Sequence, residues 1–362
     1  MILSKINFTL KPNEPDYWEI KDVILGPFNL IVGLNATGKT RLLNIITNLA
    51  KILTKKSPPL PGCWTVEFKK EEEQIIYRYE LEIASNIIIK EILWGGNELL
   101  LERHRDSGKI YSFEKKEIIT FSPPQNELSL NVRRDIKEHP FLEELYTWAG
   151  TLLRYDFSGV MSRDVTIPLN QTSLLDNLNT TPYLLREITE NKEMLDRIIK
   201  DFSGIGYPVE DIGVKIQKIQ GISEVCIATV KEKDLTCETL QPEMSQGMFR
   251  ALSLLVIIEH ILNSNKKCTV LIDDIGEGLD YNRASRLTGL LLDKIKDSNL
   301  QLIITSNDRF LINSVDIKSI NFLERQGHSV KTFNYFNSKD KYEEFIFSGL
   351  DNFDFLRGRM YN

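Results

Sequence analysis

The sequence predicts an α/β fold: a mixed, mostly parallel sheet flanked by helices, with an antiparallel β subdomain and an inserted helical lobe. Three observations carry that prediction. An apolar run over residues 28–32 meets Gly33, and past Lys39 the apolar residues recur at helical spacing through Leu53. Near the other end of the chain, short apolar strands at 269–272 and 300–305 alternate with helix patterns at 248–262 and 283–296, as crossover units of a parallel sheet do. Between these ends the pattern changes twice, first to alternating strands and then to helices.

The elements follow in order. Residues 3–8 read as a strand followed by a polar loop, and 28–32 as strand before a glycine loop and helix. From 65 to 121, Tyr77, Tyr79, Leu81 and Ile83 alternate with charged residues, as in a half-buried antiparallel strand. Gly95-Gly96-Asn97 and Asp106-Ser107-Gly108 read as hairpin turns. From 126 to about 205 the reading is mostly helical, with apolar residues at three- and four-residue spacing over 141–153 and 182–202. A strand pair is expected at 214–219 and 225–230. The expected division is therefore a split lobe of residues 1–125 and 246–337, an insertion of 126–245, and a tail of 338–362.

Bulk properties narrow the class. The chain has 362 residues, 42% hydrophobic and 27% charged, which suits a globular protein of one large or two ordinary domains. The net charge of −6 gives no overall attraction to nucleic acid, so such a contact would need a local patch. Arg103–Arg105 and Arg133–Arg134 are small basic clusters and read as solvated faces. Cys63, Cys226, Cys237 and Cys268 are scattered, without metal-binding spacing, which points to a reducing compartment. No signal-peptide pattern opens the chain, and the apolar stretch 251–258 is too short to span a bilayer. A cytoplasmic protein with no membrane contact is expected.

Gly33-Leu34-Asn35-Ala36-Thr37-Gly38-Lys39-Thr40 fits the phosphate-loop pattern GxxxxGK[ST] in full. Gly33 and Gly38 permit a backbone that turns its N–H groups inward, and the helix start after Gly38 adds unpaired N–H groups and a positive dipole end. Lys39 would place an ammonium at the β- and γ-phosphates, and Thr40 a hydroxyl on Mg²⁺. Asn35, Ala36, Thr37 and Arg41 complete the expected nucleotide contacts. Such a loop needs a carboxylate on a neighbouring strand. The strand 269–272 ends in Asp273-Asp274, so Asp273 is expected on the Mg²⁺ side and Asp274 on the attacking water. Asp274 is one methylene shorter than glutamate, which predicts slow hydrolysis; Glu277 is the alternative base.

Three motifs in this order resemble the ABC-type ATPase heads, in particular the RecF, SMC and OLD-type group: the phosphate loop; Met244-Ser245-Gln246-Gly247-Met248 before a helix; and Leu271 to Asp280 ending in Gly278-Leu279-Asp280. The resemblance covers most of the chain and implies a P-loop ABC-ATPase-like head that binds and hydrolyses ATP with Mg²⁺. It implies a head-to-tail homodimer in which Ser245 and Gly247 of one subunit cap the ATP of the other. Ser245 could equally cap its own helix, and both roles are compatible. Gln125 is a candidate for the glutamine that senses Mg²⁺ and water, or else a loop residue. Tyr17 or Trp18 is a candidate for adenine stacking, or else core.

The sequence also departs from that family. The signature is Met-Ser-Gln-Gly-Met, and Asn307 stands where a switch histidine is expected, so it can bond a phosphate but carry no charge. The roughly fifty residues after Asn307 are too few for a Toprim nuclease domain. The resulting expectation is a slow, ATP-gated dimeric switch, the ATPase subunit of a prokaryotic anti-phage or related module with a separate effector protein. The alternative is a RecF- or SMC-like DNA-repair ATPase, which leaves a nucleic-acid partner open. A small-molecule P-loop kinase is the third reading.

Overall fold

A computed structural model describes residues 1–11, 14–70, 74–157, 163–164, 181–218, 224–296 and 298–361. In chain order, β1 (Ile2–Leu10), β2 (Trp18–Ile24) and β3 (Phe28–Val32) lead into α1 (Lys39–Leu53). There follow β4 (Gly62–Lys70), β5 (Ile75–Ala84), β6 (Ile87–Gly95), β7 (Glu98–His104), β8 (Ser107–Ser112) and β9 (Glu117–Phe121). Next come α2 (Ser129–Arg133), α3 (Pro140–Thr151), β10 (Leu153–Asp156), α4 (Thr181–Thr189), α5 (Lys192–Gly204), β11 (Val209–Lys218), β12 (Glu224–Glu232) and β13 (Thr239–Leu240). The last elements are α6 (Gln246–Ser264), β14 (Cys268–Asp273), α7 (Tyr281–Ile295), β15 (Leu300–Thr305), α8 (Arg309–Ser314), β16 (Ile320–Gln326), β17 (Ser329–Phe333), α9 (Lys339–Ile346) and α10 (Asn352–Arg357).

One 14-stranded sheet runs in the order β10-β14-β15-β3-β16-β17-β2-β1-β4-β5-β6-β7-β8-β9. Its first five strands are parallel. From β2 to β9 every pairing is antiparallel. The sheet is therefore mixed, as the sequence predicts, but it is not mostly parallel: the strands expected as an antiparallel subdomain continue the same sheet and make most of its pairings antiparallel. Every residue of β14 and β15 is buried, as strands covered on both faces require. Alternate residues feed opposite cores: Leu30 and Val32 pack with α6 and α7, whereas Ile31 packs with α1 and α3.

Helix α6 is buried nearly all round, from Phe249 to Ile258. Each such Leu or Ile contributes about 1.5–3 kcal/mol by leaving water. Among the described residues it is the one helix long and apolar enough to cross a membrane, and 78% of its apolar window lies inside the protein.

Several elements differ from the sequence reading. The polar loop after residue 8 contains β2. Asp22 has φ +57° and the β1–β2 register shifts between Ile6 and Phe8, so a bulge breaks the period-two pattern there. The helix read over 182–202 is two helices, because the Asn191 side chain accepts from the Met194 N–H at 3.2 Å and starts α5 afresh. Segment 126–245 holds β10, which joins the main sheet, and the separate sheet β11-β12-β13. Ile219 and part of the expected helical stretch lie outside the described residues. Arg103, read as solvated, is fully buried, with Glu91 at 3.5 Å and backbone carbonyls around it. The Tyr79 hydroxyl and the Ser129 N–H also donate to Glu91, so this buried charge is fully partnered. In the tail, Phe355 and Tyr361 pack on Phe322, closing the edge of the larger core.

Candidate nucleotide site

Strand β3 delivers the chain into a tight loop that only glycine can start. A Cβ on Gly33 would stand 2.5 Å from the Thr37 hydroxyl and 2.9 Å from the Leu323 carbonyl oxygen. Ala36 and Gly38 have φ of +63° and +109°, which curl the loop back on itself. Helix α1 begins after Gly38 with no side-chain cap, so its first N–H groups face the loop without a side-chain acceptor. The Lys39 ammonium is buried inside this curl and donates to the Gly33 carbonyl at 2.9 Å and the Leu34 carbonyl at 3.4 Å. Burial pulls its pKa down, while the carboxylates of Asp274 and Asp273 oppose that shift.

The parallel register brings the acidic strand end to the same place. Asp273 is 2% exposed and takes three donors. The Thr40 hydroxyl reaches its Oδ1 at 3.2 Å, the Thr305 hydroxyl the same oxygen at 2.7 Å, and Arg154 its Oδ2 at 3.3 Å. Asp274 has φ +50°, and its N–H donates to the Thr305 hydroxyl at 2.8 Å. Burial first, and the neighbouring Asp273 charge second, push its carboxyl above the usual range, with Lys39 pulling the other way. The left-handed backbone gives a local reason for aspartate here, since Asp tolerates it better than longer side chains. Asn307 is also brought in: its Nδ2 donates to Asn35 Oδ1 at 2.8 Å.

Two residues of this network were not read from the sequence. Thr305 ends β15 beside Asp273, and the strand pattern could have pointed to it. Arg154 sits on β10, four residues long, too short for periodicity to reveal. It also donates to Asn44 on α1.

The signature segment behaves as a cap and as a packing point. Ser245 is the exposed N-cap of α6, its hydroxyl accepting from the Met248 N–H at 3.1 Å. Gly247 is buried against the loop after β14: a Cβ there would be 2.3 Å from the Gly278 carbonyl oxygen. Arg250, 8% exposed, donates to the Glu277 carbonyl at 3.0 Å. The signature helix and the loop 274–280 are therefore locked together within one chain.

Gln125 is not brought to the loop. Its carbonyl accepts from Ile88, and Glu127 pairs with Lys55 at 2.7 Å. Lys55 lies just past the C-terminal end of α1, and a 15-residue helix separates that end from the phosphate loop by about 22 Å. A metal or water contact by Gln125 is thus corrected: β9, which precedes it, is the far edge of the sheet. Trp18 is core, 2% exposed, with Arg41 lying 4.1 Å over its ring. Tyr17 is half-buried, its ring 6.5 Å from that of His328.

Solved structures share the overall fold. The crystal structure of an Smc head bound to the C-winged helix domain of ScpA aligns with a TM-score of 0.53 at 13% identity, over 92% of this chain and 97% of that one. An Smc head domain with an extended coiled coil, bound to the C-terminal domain of ScpA derived from Pyrococcus furiosus, aligns with a TM-score of 0.53 at 11% identity, over 95% and 99%. The fold is that of an SMC head. No protein-family model matches the chain, and no curated protein matches it in sequence.

In this fold the donor set at the loop suits a magnesium–nucleotide complex. Mg²⁺ favours a hydroxyl and one carboxylate, with substrate phosphates and water filling the rest of its shell. Thr40 and Asp273 supply such a pair at 3.2 Å. Among the described residues no cluster of three or more His, Cys, Asp or Glu could hold a metal alone. The buried Lys39 ammonium, bonded among the described residues to carbonyls alone, suits a polyphosphate in the same curl.

Proposed function

We propose that this chain binds and hydrolyses ATP and uses ATP to close a head-to-tail homodimer. The observation that carries the reading is the convergence of Lys39, Thr40, Asp273 and Asn307 around one glycine-started loop, under the uncapped end of α1. Lys39 would neutralise the β- and γ-phosphates. Thr40 and Asp273 would hold Mg²⁺, whose charge would offset that of the phosphate oxygens. Asp274 would orient the attacking water, and its raised pKa suits a group that accepts a proton. Asn307 would bond the terminal phosphate.

What is left facing outward supports the dimer. Ser245 is exposed at the start of α6, ready for an anion from another chain. Tyr281 and Phe310, about half exposed, lie with ring centroids 4.2 Å apart, beside Asp280 and three residues past Asn307. An exposed aromatic pair at the rim of the site suits burial by a second copy. The Gly247–Gly278 contact would then tie capping of the partner's ATP to the loop that carries this chain's own Asp274. The similar Smc heads are bound to domains of ScpA. For this chain we propose a separate effector protein, held or released by the closed dimer, as in an anti-phage module.

Slow turnover is part of the reading. Asp274→Glu is expected to raise turnover about tenfold or more, since reach at a catalytic group is worth that much. The left-handed backbone at 274 should cost the variant about 1 kcal/mol of stability. Steady-state phosphate release from both proteins is the check, and an unchanged rate would remove the short-base explanation.

A further inference from the structure

A pair of arginines flanks the outer side of the phosphate loop. Arg41 follows Thr40 in the first turn of α1, and its guanidinium lies flat on Trp18, 4.1 Å from the ring centroid. Arg325 reaches from the end of β16. Its Nη1 donates to the Ala36 carbonyl of the loop at 3.3 Å, and its Nε to the Gly327 carbonyl at 2.8 Å. Neither guanidinium has a carboxylate partner among the described residues. The adjacent Glu324 is engaged elsewhere, with Arg359 at 3.3 Å. The two cations are close enough that Arg325, after burial, lowers the pKa of Arg41.

Like charges held together without a counter-ion are unfavourable unless an anion joins them. Here both are held in place, Arg41 by a buried indole and Arg325 by two backbone carbonyls, so neither has to be ordered for binding. Guanidinium groups pre-oriented in this way recognise phosphate oxygens. Lys39 serves the inside of the curl, at Gly33 and Leu34, while Arg41 and Arg325 serve its flank, at Ala36 and the start of α1. On that flank the half-buried Tyr17 and the exposed His328 also lie. A nucleotide with its terminal phosphates on Lys39 would therefore lead its nucleoside end past the arginine pair.

We propose that Arg41 and Arg325 together bind the α-phosphate of the nucleotide. This rests on the nucleotide reading above: it gives Arg41, already among the expected nucleotide contacts, a specific phosphate, and it adds Arg325 as its partner. It sets the ligand class as a nucleoside di- or triphosphate, since inorganic pyrophosphate on Lys39 would leave the pair unfilled.

Calorimetric binding of ADP and of inorganic pyrophosphate to the whole chain tests this with Arg41→Gln, Arg325→Gln and Arg325→Lys. Each glutamine variant is expected to bind ADP about tenfold more weakly, the loss of one charge-assisted contact, with pyrophosphate affinity changed less than about twofold. Arg325→Lys should keep ADP affinity within about threefold. Melting of the nucleotide-free proteins is measured alongside. If Arg325→Gln and Arg325→Lys lose ADP equally and both melt lower, Arg325 only braces the loop through Ala36, and the proposal is overturned. Equal loss of ADP and pyrophosphate overturns it too, as does wild-type affinity in both glutamine variants. A wild-type chain that binds neither ADP nor ATP overturns the nucleotide reading itself, and this proposal with it.

Discussion

Lys39→Ala is expected to weaken Mg-ATP binding by about a hundredfold or more without unfolding the protein. The ammonium is buried and aimed at the carbonyls of Gly33 and Leu34, where a polyphosphate would replace them as acceptor. Charge-assisted hydrogen bonds contribute about 1.5–3 kcal/mol each, so two lost to phosphate amount to about a hundredfold at the least. The empty protein should hardly notice. Its Lys39 donates to the neutral carbonyls of Gly33 and Leu34, and burial lowers its pKa more than the nearby Asp274 and Asp273 charges raise it. Removing an imperfectly compensated buried charge is close to neutral, so the unfolding free energy should change by less than about 1 kcal/mol. Calorimetry with Mg-ATP and denaturant unfolding of the empty chain check the two halves. Retained affinity would mean that the loop holds no phosphate at Lys39.

Gly247→Ala is expected to destabilise the chain by about 2 kcal/mol or more and to abolish ATP-driven dimer closure. The new Cβ would meet the Gly278 carbonyl oxygen at 2.3 Å and its carbon at 3.1 Å, both backbone atoms that cannot rotate away. Gly278 itself has φ +81°, and the loop around it is held by Arg250 on the Glu277 carbonyl. Overpacking of this kind costs about 1–3 kcal/mol. Relief requires α6 or the loop 274–280 to move, and that motion would shift either Ser245 or Asp274. The control is Gly289→Ala in α7, where a Cβ would meet nothing within 4 Å. That change should be neutral or stabilise by about 0.5–1 kcal/mol. Urea unfolding of both variants, with light scattering in Mg-ATP, separates a packing defect from a general loss of fold. If Gly247→Ala is as stable as Gly289→Ala, the two segments are not locked as described.

The parts of this molecule legible in the sequence are those where local pattern and local structure coincide. Strands β3 and β15 and the phosphate loop were readable because apolar runs end abruptly at glycine or at polar residues. Lys39, Thr40, Asp273 and Asn307 could be brought together because parallel strands put their C-terminal ends side by side. Strand β2 was hidden by the bulge at Asp22, which puts charged neighbours where alternation is expected. Arg154 was hidden because its strand is short, and its partners Asn44 and Asp273 are remote in sequence. Gln125 was misplaced because a glutamine after a strand is informative only when that strand borders the site. Its preceding strand, β9, is instead the last of the antiparallel series. The burial of Arg103 follows from its contacts with Glu91 and the backbone carbonyls of Arg105, Pro124 and Glu127, none of which a local charge count could show.

The central claim is that ATP closes two copies of this chain on each other. The most direct measurement is solution molar mass with and without Mg-ATP, for the wild type, Asp274→Ala and Lys39→Ala. Blocking hydrolysis while keeping Lys39, Thr40 and Asp273 should trap the closed state. ATP is therefore expected to produce a stable dimer in Asp274→Ala, a weaker or transient one in the wild type, and none in Lys39→Ala. A molar mass that ignores ATP in all three proteins would contradict the switch and leave a P-loop enzyme that works without closing on a second copy.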